Sequence, residues 1–228
     1  MKYIYTLLCL ALIACSDEPE PLKSAQSIQG DIALEATVNN APADNYSYAE
    51  VTAMITGRLS ASDQVIFTAE NGLFANGAAT YTVTAVSGQA VKAYLKYDRA
   101  GQVRVTAAAF GKTKEVFLNF VPAWPDALML SPDTGSLASE YTSNSLITTR
   151  LLKNTGVPTQ GLLISYRDSI AGGGSVGTFL NNTQSDANGN ATVRYWVQDT
   201  THHGFVYIKG EISTPTGVKK AENRIYID

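Results

Sequence analysis

The stretch Asp186-Ala187-Asn188-Gly189-Asn190-Ala191-Thr192-Val193-Arg194-Tyr195-Trp196-Val197 reads as a turn feeding a strand. Asp and Asn side chains accept hydrogen bonds from nearby backbone, and glycine takes positive φ without steric penalty, so Asp186 to Gly189 reverses the chain. From there Ala191, Val193, Tyr195 and Val197 recur at every second position. That period belongs to a strand with one face on a core and the other in water.

The same alternation recurs upstream, in Ile32/Leu34/Ala36/Val38, Val51/Ala53/Ile55, Val65/Phe67, Tyr81/Val83, Val91/Ala93/Leu95/Tyr97, Val103/Val105/Ala107 and Val116/Leu118/Phe120. Turn formers separate the runs: Asn39-Asn40, Asn71-Gly72, Asn76-Gly77, Ser87-Gly88, Ala100-Gly101 and Phe110-Gly111. Short strands at this spacing predict a two-layer antiparallel sandwich of immunoglobulin type. The segment Val121-Pro122-Ala123-Trp124-Pro125 excludes a continuous strand through its prolines and marks a join. Trp124 suits either the seam between two domains or the start of the next core.

Beyond the join the plan repeats. Ala127/Met129/Ser131, Leu146/Thr148/Arg150/Leu152, Leu162/Ile164/Tyr166, Ala191 to Val197, Phe205/Tyr207, Val218 and Ile225 to Ile227 are read as carrying the inward positions. Gly88 to Leu95 is aligned with Gly189 to Trp196, and Val103 to Ala107 with Phe205 to Lys209, as an internal duplication. The expected fold class is all-β, with two tandem sandwiches over residues 28–122 and 123–228. No helix of useful length is expected; Lys112 to Phe117 completes the first domain as a strand.

The N-terminus carries a different signal. Lys2 precedes a short apolar run, Thr6 to Ala14, which suits a secretory signal and falls short of the about 20 apolar residues a membrane span needs. Leu12-Ile13-Ala14-Cys15 resembles a bacterial lipobox. The resemblance implies a signal peptide over residues 1–14, cleavage before Cys15 and acylation of the Cys15 thiol, with membrane lipid as the first partner. Residues 15–27 then form an acidic, proline-containing tether, able at roughly 3.3 Å per residue to reach up to about 40 Å. Ser16-Asp17-Glu18 resembles the surface-export tag of Bacteroidetes lipoproteins, although Pro19 interrupts it. An outer-membrane anchor facing outward is expected, with the periplasmic face as the alternative. Cys9 leaves with the signal and Cys15 is consumed by lipid, so neither a disulfide nor a cysteine-ligated metal is expected.

Lys and Arg total 17 against 20 Asp and Glu, for a formal net charge of -3. The cations are scattered along the chain, without the stripe that a phosphate backbone requires, and nucleic acid is not an expected partner.

Several motifs resemble those of bacterial Ig-like domains of the invasin and intimin type. In the first half they are Val51-Thr52-Ala53, Val65-Ile66-Phe67 with Asn71-Gly72-Leu73-Phe74, Gly88-Gln89-Ala90 and Val103-Arg104-Val105-Thr106-Ala107. In the second they are Leu162 to Tyr166, Gly174 to Phe179 and Asp186 to Val193, and the first half lacks the Asp-x-Asn element before Gly88. The resemblance implies a stalk or adhesion module without enzymatic activity, meeting a protein or glycan partner at the surface.

Candidate chemistry is sparse. His202-His203 would point to opposite faces of an extended chain and could not chelate one ion there; a loop role is favoured over metal or pH sensing. Asp186-Ala187-Asn188-Gly189 has oxygen ligands but no EF-hand spacing, and Gly172-Gly173-Gly174 lacks the Walker lysine. No G-x-S-x-G elbow occurs, and no cofactor is expected. The 12 tyrosines offer more: Tyr46, Tyr48, Tyr94 and Tyr97 are candidates for exposed rings, and an exposed row through Tyr195 or Trp196 would favour glycan binding. Asp168-Ser169-Ile170 resembles the O-glycosylation signal of Bacteroidetes exported proteins, with Ser169 as the acceptor.

Overall fold

The computed structural model describes residues 30–57, 63–86, 88–180 and 183–228, and within them every regular element is a strand. The first group comprises β1 (Asp31–Val38), β2 (Ala41–Pro42), β3 (Ala49–Thr56), β4 (Gln64–Ala69), β5 (Leu73–Phe74), β6 (Thr80–Thr84), β7 (Ala90–Lys96), β8 (Gly101–Ala109) and β9 (Lys112–Val121). The second comprises β10 (Ala127–Pro132), β11 (Ser136–Leu137), β12 (Asn144–Leu152), β13 (Ser165–Ile170), β14 (Gly177–Leu180), β15 (Asn190–Val197), β16 (Gly204–Thr214) and β17 (Gly217–Ile227).

Two tandem sandwiches with one topology result. The first opposes β1-β3-β7-β5 to β2-β9-β8-β4-β6, and the second opposes β10-β12-β15-β14 to β11-β17-β16-β13. In both, the opening strand breaks after its antiparallel pairing and crosses to the other sheet, where its second half runs parallel to the last strand. Polar side chains fix these crossings. Asn39 Oδ1 accepts the Asn40 and Asn119 amides, with Asn40 at φ 60, and Asp133 Oδ1 accepts the Ser145 hydroxyl and the Leu146 amide. The crossing also leaves only a two-residue strand, β2 or β11, at that sheet edge, which limits what can add to it.

Each core is closed mainly by packing, with no disulfide among the described residues. In the first, Phe67, Phe74 and Tyr81 form a ring cluster, with Tyr97 edge-on to Phe120 at 5.7 Å. The second core centres on the fully buried Tyr195, which meets Phe179 at 5.1 Å and donates its hydroxyl to Asp168 Oδ2 at 2.9 Å. Asp168 also accepts the Val176 and Gly177 amides at 2.7 and 2.9 Å and the Ser175 hydroxyl, so one buried carboxylate ties β13 to β15 and to the segment entering β14. A Cβ at position 177 would overlap the Tyr195 ring and the Trp196 carbonyl, so only glycine lets β14 approach.

Alternation places the inward set correctly in β3, β4, β7, β8 and β15, and misplaces it in three strands of the second sandwich and at Val218 of β17, which is exposed. The inward residues are Leu128 and Leu130 on β10, Ser145, Ile147, Thr149 and Leu151 on β12, and Val206, Ile208 and Ile212 on β16. Ala127, Met129, Ser131, Arg150, Leu152 and Phe205 are exposed, and Leu146, Thr148 and Tyr207 also lie on the outward side. The reason is hydrogen bonding. Ser145 and Thr149 enter the core because Asp133 and the Tyr166 hydroxyl satisfy them, so polarity does not report which face is buried.

The aligned repeats are accordingly one residue out of step. Val91, Ala93 and Leu95 are buried, as are Ala191, Val193 and Tyr195, whereas the sequence alignment sets Val91 against the exposed Thr192. In β1, a bulge between Ala36 and Val38 turns Val38 outward. Trp124 is partly buried and packs against a cluster of Leu128, Leu151, Leu162, Ile164, Ala191 and Ile212 in the second sandwich.

Replacing Tyr195 with Phe is expected to destabilise the second sandwich by about 1.5–3 kcal/mol, the range for a hydrogen bond to a charged group. Asp168→Ala, which strands four donors, should cost more. Urea denaturation followed by tryptophan fluorescence reports both, since Trp124 and Trp196 are the only tryptophans and both belong to that half.

Candidate functional site

The two sandwiches meet through loops at facing ends, and a network of hydrogen bonds crosses this joint. From the first come the segment before β3, Asp98-Arg99 and the connector at Ala123; from the second come Gly156 to Gln160 and Ser185. Thr159, 3 % exposed, is its centre. Its Oγ1 accepts the Ala123 amide at 2.6 Å and donates to the Ala43 carbonyl at 2.9 Å, while its own amide donates to the Ala123 carbonyl at 3.0 Å and its carbonyl accepts Ser185 Oγ at 2.9 Å. Alongside, Val157 N donates to Asp44 O, Gln160 N to Asp98 O, and Arg99 Nε to Gln160 Oε1 at 3.0 Å.

Local sequence shapes both surfaces. The Asp44 carboxylate caps its own loop, accepting the Tyr46 and Ser47 amides and the Ser47 hydroxyl, which leaves the Asp44 carbonyl facing outward. Gly156 lies against that carbonyl at φ 74, where a Cβ would approach Asp44 O to 2.8 Å. Beside the joint is a polar cleft of about 260 Å³ lined by Arg99, Gln160, Gly161, Gln184, Ser185 and Asp186.

A second feature lies on the outward face of β1-β3-β7-β5. Antiparallel pairing sets Glu50 opposite Tyr94 and Thr52 opposite Lys92. Glu50 is only 8 % exposed although it sits on the solvent side, and Lys92 Nζ reaches its Oε1 at 2.8 Å. That contact holds the Glu50 carboxyl below its ordinary value, with smaller help from the Tyr94 and Thr52 hydroxyls. The Thr37 and Thr52 hydroxyls bond to each other. Tyr48 stands edge-on to Tyr94 at 6.4 Å, and both rings are exposed together with Tyr46, Val38, Met54 and Leu73.

The residues singled out from sequence are dispersed. Cys15 lies outside the described residues. Ser169 is half-buried on β13, opposite Tyr207, while its neighbour Asp168 points into the core. His202 is partly buried, with Nε2 unpartnered among the described residues, whereas His203 is exposed. No group of three or more His, Cys, Asp or Glu among the described residues is placed to hold a metal. Asp186 Oδ1 accepts the Asn188 and Asn190 amides, both at 2.8 Å, as a turn requires. Gly172, Gly173 and Gly174 all have positive φ in the exposed loop from β13 to β14.

Two aromatic expectations are corrected. Tyr195 is a core residue and contributes to no exposed row, and Tyr97 packs inward on Phe120, leaving Tyr94 as the surface ring of that pair. Sequence reading missed Thr159, Gly156, Asp44 and the Glu50–Lys92 pair. Lys92 and Glu50 both occupy outward parity on alternating strands, a signal that was available; Thr159 lies in an aperiodic loop and carried none.

No protein-family model matches the sequence, and no curated protein matches it. Among solved structures the chain is similar to invasin, a bacterial integrin-binding protein, at TM-score 0.60 and 18% identity, over 86% of this chain and 39% of that one. It is also similar to the adhesin InvE of Yersinia pseudotuberculosis, at TM-score 0.55 and 16% identity, over 88% of this chain and 59% of that one. This chain therefore spans less than two thirds of either structure. The likeness is one of fold, that of tandem Ig-like domains of the invasin type.

Thr159→Val keeps the shape and removes both bonds of the hydroxyl; at about 1 kcal/mol net per hydrogen bond, the joint should lose about 2 kcal/mol. Small-angle scattering and interdomain residual dipolar couplings should then report independent tumbling, and Gly156→Val should do the same through steric clash. On the outward face, the lowered Glu50 pKa means the ion pair contributes fully above pH 4.5, the ordinary value, and fades as pH falls through the lowered one. Lys92→Ala should remove that part of the acid sensitivity of the first sandwich, read by circular dichroism between pH 5 and pH 2.

Proposed function

We propose that this chain is a non-enzymatic lipoprotein, anchored in the outer membrane through acylated Cys15 and probing outward as an adhesion, spacer or complex-assembly module. The observation that carries the reading is the joint. A spacer transmits position only if its units do not swivel, and the Thr159 hydroxyl with the backbone bonds around it couples the two sandwiches through groups that would be left unsatisfied by rotation. The likeness of fold to invasin and InvE supports the adhesive reading. The acidic tether of residues 15–27 sets the pair off from the lipid surface. Ser169, on the outward face of β13, is the proposed O-glycosylation site.

A carbohydrate-binding accessory role is the second reading, favoured by the exposed Tyr46, Tyr48 and Tyr94 on the first sandwich. There the pairing of buried Glu50 with exposed Lys92 fixes the surroundings of Tyr94, as a preorganised sugar platform needs. Glycan-array binding abolished by Tyr94→Ala and Tyr48→Ala would select this reading over adhesion to protein.

The anchor has a direct measurement. Cys15→Ser should move the chain from the membrane to the soluble fraction on cell fractionation and remove the lipid mass seen by mass spectrometry. Unchanged retention and mass would refute the lipid anchor.

A further inference from the structure

The outward face of β13, β16 and β17 combines cations with exposed aromatic rings. Its outward positions are Ser165, Arg167 and Ser169 on β13, Phe205, Tyr207, Lys209 and Glu211 on β16, and Val218, Lys220, Glu222, Arg224 and Tyr226 on β17, with Ser213 at the end. Four cations therefore face two carboxylates, in a chain whose formal net charge is -3. The carboxylates are already engaged. Glu211 takes Arg167 at 2.6 Å and Lys220 at 3.4 Å, and Glu222 takes Lys209 at 3.5 Å, around a shallow cleft of about 350 Å³. Arg224 has no carboxylate partner among the described residues. Its guanidinium instead lies over the Phe205 ring, 4.4 Å from the centroid, and Tyr226 meets Phe205 edge-on at 5.2 Å.

This cluster sits at the far pole. Chain direction places it there: β10 leaves the joint, β11 continues away from it, and Tyr226 and Ile227 pair with β11. The aromatic end of the face thus lies at the end of the second sandwich remote from the first, while Glu211 and Lys220 lie nearer the joint.

We propose that this face is a docking surface for an acidic segment of a protein partner, with Arg224 taking a carboxylate and Tyr207 and Tyr226 supporting the apolar side chains beside it. A cation over the ring face does not use up the guanidinium's N–H donors, which can bind a carboxylate in two parallel bonds. The ring beneath fixes the arginine rotamer before the partner arrives, so less entropy is lost on binding. Arg and Tyr exposed together at one centre are the residue types that dominate protein interfaces. A sugar is disfavoured because Arg224 covers the Phe205 face on which a pyranose would stack. The excess of cations then selects an acidic partner. This inference rests on the reading of the chain as a binding module and names the chemistry of its partner; the Cys15→Ser fractionation tests anchoring separately and is insensitive to the variants below.

The test is selection of a random dodecapeptide library on the intact mature chain, followed by binding of the enriched peptides to Arg224→Ala and Lys209→Ala variants. Both side chains lie on the surface, and unchanged urea midpoints verify the fold. The expected result is enrichment of sequences carrying at least two Asp or Glu beside an apolar residue, binding that weakens as salt rises, and a loss of about tenfold or more in Arg224→Ala, the 1.4 kcal/mol scale of one charged hydrogen bond. Arg224→Lys, which keeps the charge and loses the fork, should recover only part of it. Peptides without acidic excess, or acidic peptides that bind both variants as well as the parent, would overturn the proposal. So would Arg224-dependent capture of heparin with no acidic peptide retained, which would assign the face to an anionic glycan.

Discussion

Each sandwich here must hold two sheets face to face without a covalent cross-link, because the described residues contain no cysteine. Everything inside follows from that constraint. Opposed inward faces of small β-branched and aliphatic residues supply most of the burial, and large rings fill the remaining depth: Phe67, Phe74 and Tyr81 in one core, Phe179 and Tyr195 in the other. The second core adds a polar lock. A carboxylate is tolerated at the centre because four donors converge on it from two other chain segments, which turns a costly buried charge into a register mark for β13, β14 and β15.

The joint applies the same logic between sandwiches. Loops rarely make a firm interface, since their backbone polar groups are normally left to water. Here the backbone groups of one loop answer those of the other, with the Thr159 hydroxyl accepting from the connector at Ala123 and donating to Ala43 of the first sandwich. Coupling at the ends leaves the broad sheet faces uncovered. Two of those faces are not plain solvent surfaces: one presents tyrosines around the Glu50–Lys92 pair, and the other presents cations, with Arg224 over Phe205 and Tyr226 edge-on to it at the end remote from the joint. A stiff connection and free faces are together what a module that must hold a recognition surface away from its anchor requires.

The outward aromatics also explain why the surface was hard to read. Phe205 and Tyr207 were assigned to the core because apolar residues at alternate positions usually face it, while Val206 and Ile208 between them satisfy the same rule at the other parity. When both faces of a strand are apolar, period two is present and phase is not. The converse happened in β12, where Ser145 and Thr149 hid the inward face behind hydroxyls that only Asp133 and Tyr166 make acceptable. On β3, β7, β8 and β15, where one parity is strictly apolar, the inward residues were legible from sequence.

What the amino-acid order determined by itself was local: short alternating runs broken by Asn and Gly, hence strands and turns, repeated on both sides of a proline-flanked join. The proposed lipid anchor at Cys15 likewise rests on local sequence, Leu12-Ile13-Ala14-Cys15, and on no feature of the fold. Tertiary structure alone decided which face of β10, β12 and β16 is buried, that Asp168 is a core acceptor, that Thr159 joins the halves, and that Arg224 rests on Phe205. Each of these is a contact between residues distant in sequence or on neighbouring strands, and its energy depends on a partner whose position is fixed only when the sheets have paired.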